Sequence, residues 1–351
     1  MRYVNDRIER LLKNFTDGEA VFVSGYPNIF YYSGFTSEDA WLIITESKRI
    51  IATDSRYFVQ ARLEAPEFDI FDIDKGWEKL FAEISNDKIA FEENKMSFGE
   101  YQRLKEKSGK RFVAAQEKID RQRRVKDAHE IECIRDAVEI GDAAFSHILT
   151  FIKAGMTEKE VALELEYFMK KQGAYALSFP TIAASGIRSA MPHGVASDKI
   201  IEKGDLLTLD FGCVFNGYCS DMTRTVGIGC LNFKQIEIYN TVLKAQSAAV
   251  VGIHEGISCF DADKLARDII TEAGYGENFG HSLGHSVGVE IHEKPLFSKK
   301  SKDILEEGNV LSVEPGIYID GFGGVRIEDL IAVKNGEIIN LTTSPKDLIV
   351  I

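Results

Sequence analysis

Asp210, Asp221, Glu314 and Glu328 are four carboxylates set in or beside short apolar runs, with glycine nearby: TLDFG, CSDMTRT, SVEPG and VRIED. His285 stands in a fifth such string, GHSLGHSVG. Burying four carboxylates among apolar residues is very costly unless cations neutralise them. Two divalent cations cancel four negative charges. Carboxylate oxygens with one imidazole suit Mn2+, Co2+, Fe2+ or Zn2+, whereas a structural zinc site would use thiolates. Two such ions ~3.5–4 Å apart would share a bridging hydroxide, the attacking group of a paired-metal hydrolase.

Each residue alone has a plainer reading. Asp210 fits a turn at a strand end. Asp210-Phe211-Gly212 also matches a kinase metal motif, but no Gly-rich phosphate loop, strand lysine or H-R-D segment accompanies it. Asp221, read as mid-strand in 218–226, has Arg224 close enough for a local ion pair. Glu314 precedes a Pro315-Gly316 turn. If 324–331 is a strand, Arg326 and Glu328 share one face, where the guanidinium would hold a metal-bound carboxylate or contact substrate. His281 and His285 are spaced as in H-E-x-x-H zinc proteases. Ser282 replaces the glutamate, however, and Gly280, Gly284 and Gly288 argue against a helix. His292 makes a third histidine in this stretch, and His193 lies in the loop-like 189–194. The conjunction weighs more than any member.

The elements that must gather these residues repeat. Residues 128–152 and 157–172 have helical periodicity, the second opened by a Thr157/Glu160 capping box. Strands follow at 206–210 and 219–226, carrying Asp210 and Asp221. The order recurs with helices at 233–254 and 260–273, then strands at 310–314 and 324–331 carrying Glu314 and Glu328. The carboxylate spacings, 11 and 14 residues, suit two hairpins facing each other across a pseudo-twofold axis. Residues 1–120 alternate helices near 5–13, 56–65, 77–84 and 98–107 with strands near 20–24, 41–45, 49–53, 88–91 and 111–113. That pattern predicts a small α/β domain with a mixed sheet. The charged segment 117–127 reads as the connection between domains, or as the first turns of the next helix. The expected fold class is α/β (α+β), with domains at 1–121 and 122–351.

A chain of 351 residues is comfortable for two domains. A net charge of −13 lacks the basic face of a nucleic-acid binder. No stretch approaches the ~18 apolar residues of a membrane span, and the N-terminus lacks a signal-peptide core. A cytoplasmic protein without membrane or nucleic-acid partners is expected. Cys133, Cys213, Cys219, Cys230 and Cys259 form no C-x-x-C and read as buried free thiols.

These strings resemble the metal-dependent aminopeptidase and prolidase family with the pita-bread fold. From 124 to 331 all five ligand motifs occur in family order, and residues 1–120 are more weakly similar to the creatinase-type N-terminal domain. The resemblance implies an antiparallel sheet with pseudo-twofold symmetry, flanked by two helix pairs. It implies that Asp210 chelates a first metal, that His285 and Glu314 serve a second, and that Asp221 and Glu328 bridge both. Mn2+ is the expected ion, with Co2+, Zn2+ or Fe2+ compatible. His193, His281 and His292 match histidines that position substrate and stabilise the tetrahedral intermediate, Glu314 the proton shuttle, and Arg326 the arginine tied to proline-selective members. Methionine aminopeptidases share the five ligands but usually lack the N-terminal domain and the histidine at 281. The stretch 184–194 looks like short bacterial aminopeptidases of the P type. The expectation is therefore a Xaa-Pro aminopeptidase acting on short peptides, in a homodimer. The alternative is a Xaa-Pro dipeptidase (prolidase); a remote one is a non-catalytic peptide-binding module of the same fold. Phe179 or Tyr318 would line the proline pocket.

Overall fold

Short apolar runs in the first third of the chain become strands of a six-stranded sheet in the computed structural model, which describes residues 2–16 and 18–351. The chain divides into two units, Met1–Arg123 and Arg124–Ile351. In the first, the strands are β1 (Glu19–Val23), β2 (Trp41–Ile44), β3 (Arg49–Thr53), β4 (Asp69–Asp72), β5 (Lys88–Phe91) and β6 (Arg111–Ala114). They form one sheet in the order β4-β3-β2-β1-β5-β6. β1 pairs antiparallel with β2 and parallel with β5, so the sheet is mixed, as expected. Its helices are α1 (Arg2–Leu12), α2 (Tyr26–Ser33), α3 (Phe58–Glu64), α4 (Trp77–Ala82), α5 (Phe98–Ser108) and α6 (Gln116–Asp120). Phe22, Phe81, Phe91 and Phe112 pack edge-on or tilted in the core. Two elements of this unit carry no clear apolar periodicity. Helix α2 takes Pro27 in its first turn and ends on Gly34 at φ 79, and β4 is a short edge strand. The segment 117–127 is largely helical: α6 runs into a 3-10 turn, Arg121–Arg124, and 125–127 lead on to the next helix.

The second unit opens with helices α7 (Ala128–Phe151) and α8 (Glu158–Lys171), both started by capping boxes, Asp127 with Glu130 and Thr157 with Glu160. Strands β7 (Ala176–Leu177), β8 (Ile182–Ser185), β9 (Leu206–Phe211), β10 (Cys213–Phe215), β11 (Tyr218–Cys219) and β12 (Met222–Gly227) follow. The pattern then recurs. Helices α9 (Phe233–Gly252) and α10 (Cys259–Glu272) precede β13 (Gly284–Ser286), β14 (Glu293–Phe297), β15 (Val310–Val313), β16 (Gly316–Ile319), β17 (Gly323–Arg326), β18 (Asp329–Lys334) and β19 (Glu337–Asn340). The main ladders are β12-β9-β8 and β14-β13-β15-β18-β19. Each helix pair covers its own hairpin. Phe145, Ile148 and Leu165 pack on Leu207 and Leu209, while Val242, Ala266 and Ile270 pack on Leu311 and Val313. The two halves meet through backbone: Glu328 N–H donates to the Thr223 carbonyl at 3.1 Å. The Thr225 hydroxyl bonds both the N–H and the carbonyl of Arg326, at 3.2 and 3.0 Å.

The long strands expected at 219–226 and 324–331 are each broken. β11 pairs with β10 and β12 with β9, leaving Ser220 and Asp221 between ladders. β17 pairs with β16 and β18 with β15, leaving Ile327 and Glu328 between. Asp221 is therefore not mid-strand, and Arg326 and Glu328 do not share a strand. The breaks turn both carboxylates inward. Two glycines make the crossings fit: a Cβ at Gly212 would lie 1.9 Å from the Ser220 carbonyl oxygen, and one at Gly284 1.9 Å from that of Ser312. All five cysteines are free thiols; four are buried as expected, and Cys230 is exposed because it sits in the turn after β12. Among the described residues no helix is long and apolar enough to cross a membrane.

A candidate metal centre

Asp210 comes from β9, Asp221 from the break before β12, Glu328 from the break before β18, Glu314 from the end of β15 and His285 from β13. These five, with His193, His281, His292 and Arg326, all line one cavity of about 590 Å³. Oxygen and nitrogen atoms of Asp221, His285 and Glu328 lie within 4.8 Å of one another. His285 Nε2 stands 3.5 Å from Asp221 Oδ2 and 3.4 Å from Glu314 Oε1. Its Nδ1 faces the Ser286 carbonyl at 3.3 Å. A carbonyl only accepts, so Nδ1 carries the proton of the neutral ring and Nε2 keeps its lone pair for a ligand. Burial lowers the His285 pKa, which favours that neutral form.

The carboxylates are held by hydroxyls and one guanidinium. Arg326 Nη2 donates to Asp210 Oδ2 at 2.6 Å, and its Nε to the Thr223 hydroxyl at 2.9 Å. That hydroxyl donates to Glu328 Oε2 at 2.7 Å. The Ser312 hydroxyl accepts from the His285 N–H at 3.0 Å and donates to Glu314 Oε1 at 3.0 Å. Thr223 and Ser312 were not anticipated, since a hydroxyl inside a strand reads as a strand former; the polar residue interrupting VLSV was the available signal. Arg224 does not pair with Asp221. It is buried against Asp329, with Nη2 2.8 Å from Oδ1, and donates to the Glu328 carbonyl, fixing the break from behind.

The donor set fits divalent cations. Asp210 Oδ1 and Glu328 Oε1 are buried and have no hydrogen-bond partner among the described residues. Burial and the neighbouring Glu328, Asp210 and Glu314 push Asp221 well above the usual carboxylate range. Burial, Glu314 and Asp210 do the same to Glu328, and burial lifts Glu314 to about 7. A single guanidinium does not balance four acids. Cations at the orphaned oxygens would satisfy both the valence and the charge.

The histidines differ in their freedom. His292 is exposed at the cavity, with its ring 4.4 Å from that of His285. Exposed His193 also reaches the cavity, on the loop after Pro192, whose carbonyl accepts from Arg326 Nη1 at 3.2 Å. His281 has both ring nitrogens engaged. Nδ1 donates to the Ser282 carbonyl at 2.8 Å, so Nε2 accepts from the Tyr318 hydroxyl at 2.9 Å. Burial and Arg326 lower its pKa to about 4, keeping it neutral. Tyr318 also accepts from Arg326 Nη1 at 2.8 Å. Of the two aromatics expected at a proline pocket, Phe179 lines the cavity; Tyr318 lies behind Arg326 because its hydroxyl is needed there.

Comparison with known proteins places this site in context. The model of Metallopeptidase family M24 matches residues 132–335, and that of the Creatinase/Prolidase N-terminal domain matches 7–125. A Xaa-Pro dipeptidase of Pyrococcus furiosus is 39% identical, over 99% of this chain and 100% of its own. The structure of a Xaa-Pro dipeptidase from Bacillus anthracis is 43% identical, covers 99% of this chain and 100% of its own, and superposes with a TM-score of 0.96. That of an X-Pro aminopeptidase from Thermotoga maritima is 40% identical, covers 98% and 99%, and superposes with a TM-score of 0.92.

Proposed function

The chain belongs to metallopeptidase family M24, with a creatinase/prolidase N-terminal domain and the pita-bread fold, and from that premise we propose that it is a Xaa-Pro dipeptidase. The observation that carries this reading is full-length similarity to proteins named Xaa-Pro dipeptidases, joined to the cluster of four acids and one imidazole in the cavity. It shifts the expectation drawn from 184–194, an aminopeptidase, to its alternative. The aminopeptidase remains the second reading, favoured by the similarity to the Thermotoga maritima structure.

Two divalent cations, Mn2+ first among them, would be held by Asp210, Asp221, His285, Glu314 and Glu328; when bound they activate water and polarise the scissile carbonyl. The remaining steps belong to the chain. The Xaa-Pro bond is a tertiary amide, so its nitrogen must gain a proton as it leaves. Glu314 suits that transfer: Ser312 occupies Oε1, leaving Oε2 to take the water proton and deliver it to the proline nitrogen. His292, exposed beside His285, donates to the developing oxyanion, a contact typically worth about 3–4 kcal/mol. His193 faces the leaving side. Arg326 positions Asp210, and His281 acts through Tyr318 on Arg326 rather than on substrate. Phe179 and Ile182 offer an apolar wall for the pyrrolidine ring.

One assay separates the readings. The Mn2+-loaded protein is given Ala-Pro, Ala-Pro-Ala and longer Ala-Pro peptides. Cleavage of the dipeptide alone is the expected result. Efficient cleavage of the longer peptides makes the enzyme an aminopeptidase. Cleavage of Met-Ala peptides with no action on any Xaa-Pro bond defeats both.

A further inference from the structure

Lys126 precedes helix α7 in the second unit, and its side chain is fully buried. Its N–H donates to the Gly308 carbonyl at 2.7 Å, anchoring it just before β15. Its ammonium donates to the Ser286 hydroxyl at 2.8 Å and to Glu293 Oε2 at 3.1 Å. Those residues are register partners at an irregular point. His285 pairs with Leu296, but Ser286 pairs with Glu293, so Lys294 and Pro295 have no opposite number on β13. Such a shift re-aims the side chain beside it and leaves the ladder weakly specified there. The side chain beside it is His285.

Glu293 also closes the turn that carries His292: its Oε1 accepts from the Glu290 N–H at 3.2 Å. Gly288 leaves room for it, since a Cβ there would lie 2.6 Å from Glu293 Oε2. A buried ion pair is a poor device for stability, because desolvation offsets its attraction and apolar packing serves folding as well. What an ammonium supplies here is a fixed point shared by two side chains, each the sequence neighbour of a site histidine.

We propose that Lys126 is a positioning residue: by bridging Ser286 and Glu293 it locks the shifted register of β13 on β14, and so sets the direction of His285 Nε2 and of the His292 ring. This rests on the metallopeptidase reading, in which His285 is a ligand. Direct partners of metal ligands typically tune affinity or activity by about 10–100-fold; Lys126 acts one side chain further out, through Ser286 and Glu293, so the lower end of that range applies.

The test uses the full chain carrying Lys126→Met, Ser286→Ala or both, with Mn2+ titrated calorimetrically into the metal-free proteins. Lys126→Met is expected to weaken Mn2+ binding by about 10-fold or more and to lower kcat for Ala-Pro similarly, with KM changed less than about 3-fold. Ser286→Ala is expected to act in the same direction by a smaller factor, and the double variant to be no weaker than Lys126→Met. Wild-type Mn2+ affinity in Lys126→Met, even with a lowered Tm, overturns the proposal, as do losses that multiply in the double variant. Should Lys126→Met not fold, Ser286→Ala decides alone: unchanged affinity and kcat overturn the proposal. The titration needs no peptide. A wild-type protein that binds Mn2+ but cleaves no Xaa-Pro bond would refute the dipeptidase and leave Lys126 to be judged on affinity.

Discussion

Asp221 is 5% exposed and faces Glu328, Asp210 and Glu314, so its ionised form is opposed both by burial and by its neighbours. Replacing it with alanine therefore has opposite effects with and without metal. Asp221→Ala removes a proposed bridging ligand, and hydrolysis should fall at least ~100-fold with metal stoichiometry below wild type. In chelator the same variant loses a repelling charge, and at pH 8 its Tm should equal or exceed that of chelated wild type. A variant destabilised equally in both states would mean that Asp221 is structural. Asp221 and the other carboxylates were legible in the sequence because acids beside apolar runs pose an electrostatic problem that only a few chemistries solve. Their holders were not. Thr223 and Ser312 fit a strand as well as a site, and Arg224 is as near to Asp221 in sequence as any pairing would need, yet it binds Asp329.

The elements that carry these residues must cross more closely than side chains normally allow. At Gly284 any β-carbon would meet the backbone oxygen of Ser312, which cannot rotate away. Gly284→Ala should part β13 from β15, moving the His285 N–H off the Ser312 hydroxyl that also holds Glu314. The expected cost is about 1–3 kcal/mol, read as a lower Tm, with metal content reduced alongside. Unchanged metal content at a lowered Tm would separate the strand crossing from the site. Helices were the readable elements, since capping pairs such as Thr157 with Glu160 mark their ends chemically. Strand breaks were hidden. Nothing in the residues of 218–226 marks where the ladder partner changes from β10 to β9, because pairing is a property of distant residues. The chain-order repeat, two helices then strands that bear or flank two acids, survived because it does not depend on where each ladder stops.

At the scale of the whole molecule, the second unit folds around a charge cluster that is unfavourable without cations, and its stability must therefore depend on pH in a metal-dependent way. Glu314 has a folded pKa of about 7, above its ordinary 4.5, and Asp221 and Glu328 are raised in the same direction. Groups whose folded pKa is raised bind more protons in the folded state than in the unfolded chain. Their stabilisation is fully present below pH 4.5 and is lost as pH rises through 7. For Glu314 alone this is on the order of 3 kcal/mol. Bound cations hold the same carboxylates ionised and remove the dependence. Metal-free protein should accordingly show a Tm that falls between pH 5 and pH 8 relative to the Mn2+-loaded form, the gap widening with pH. Since Asp221, Glu314 and Glu328 give up protons when a cation binds, Mn2+ binding at pH 6 should also release protons, measurable from its buffer-dependent heat. Parallel Tm profiles with and without Mn2+ would show that the four acids are neutralised within the chain, and the charge argument for two cations would then fail.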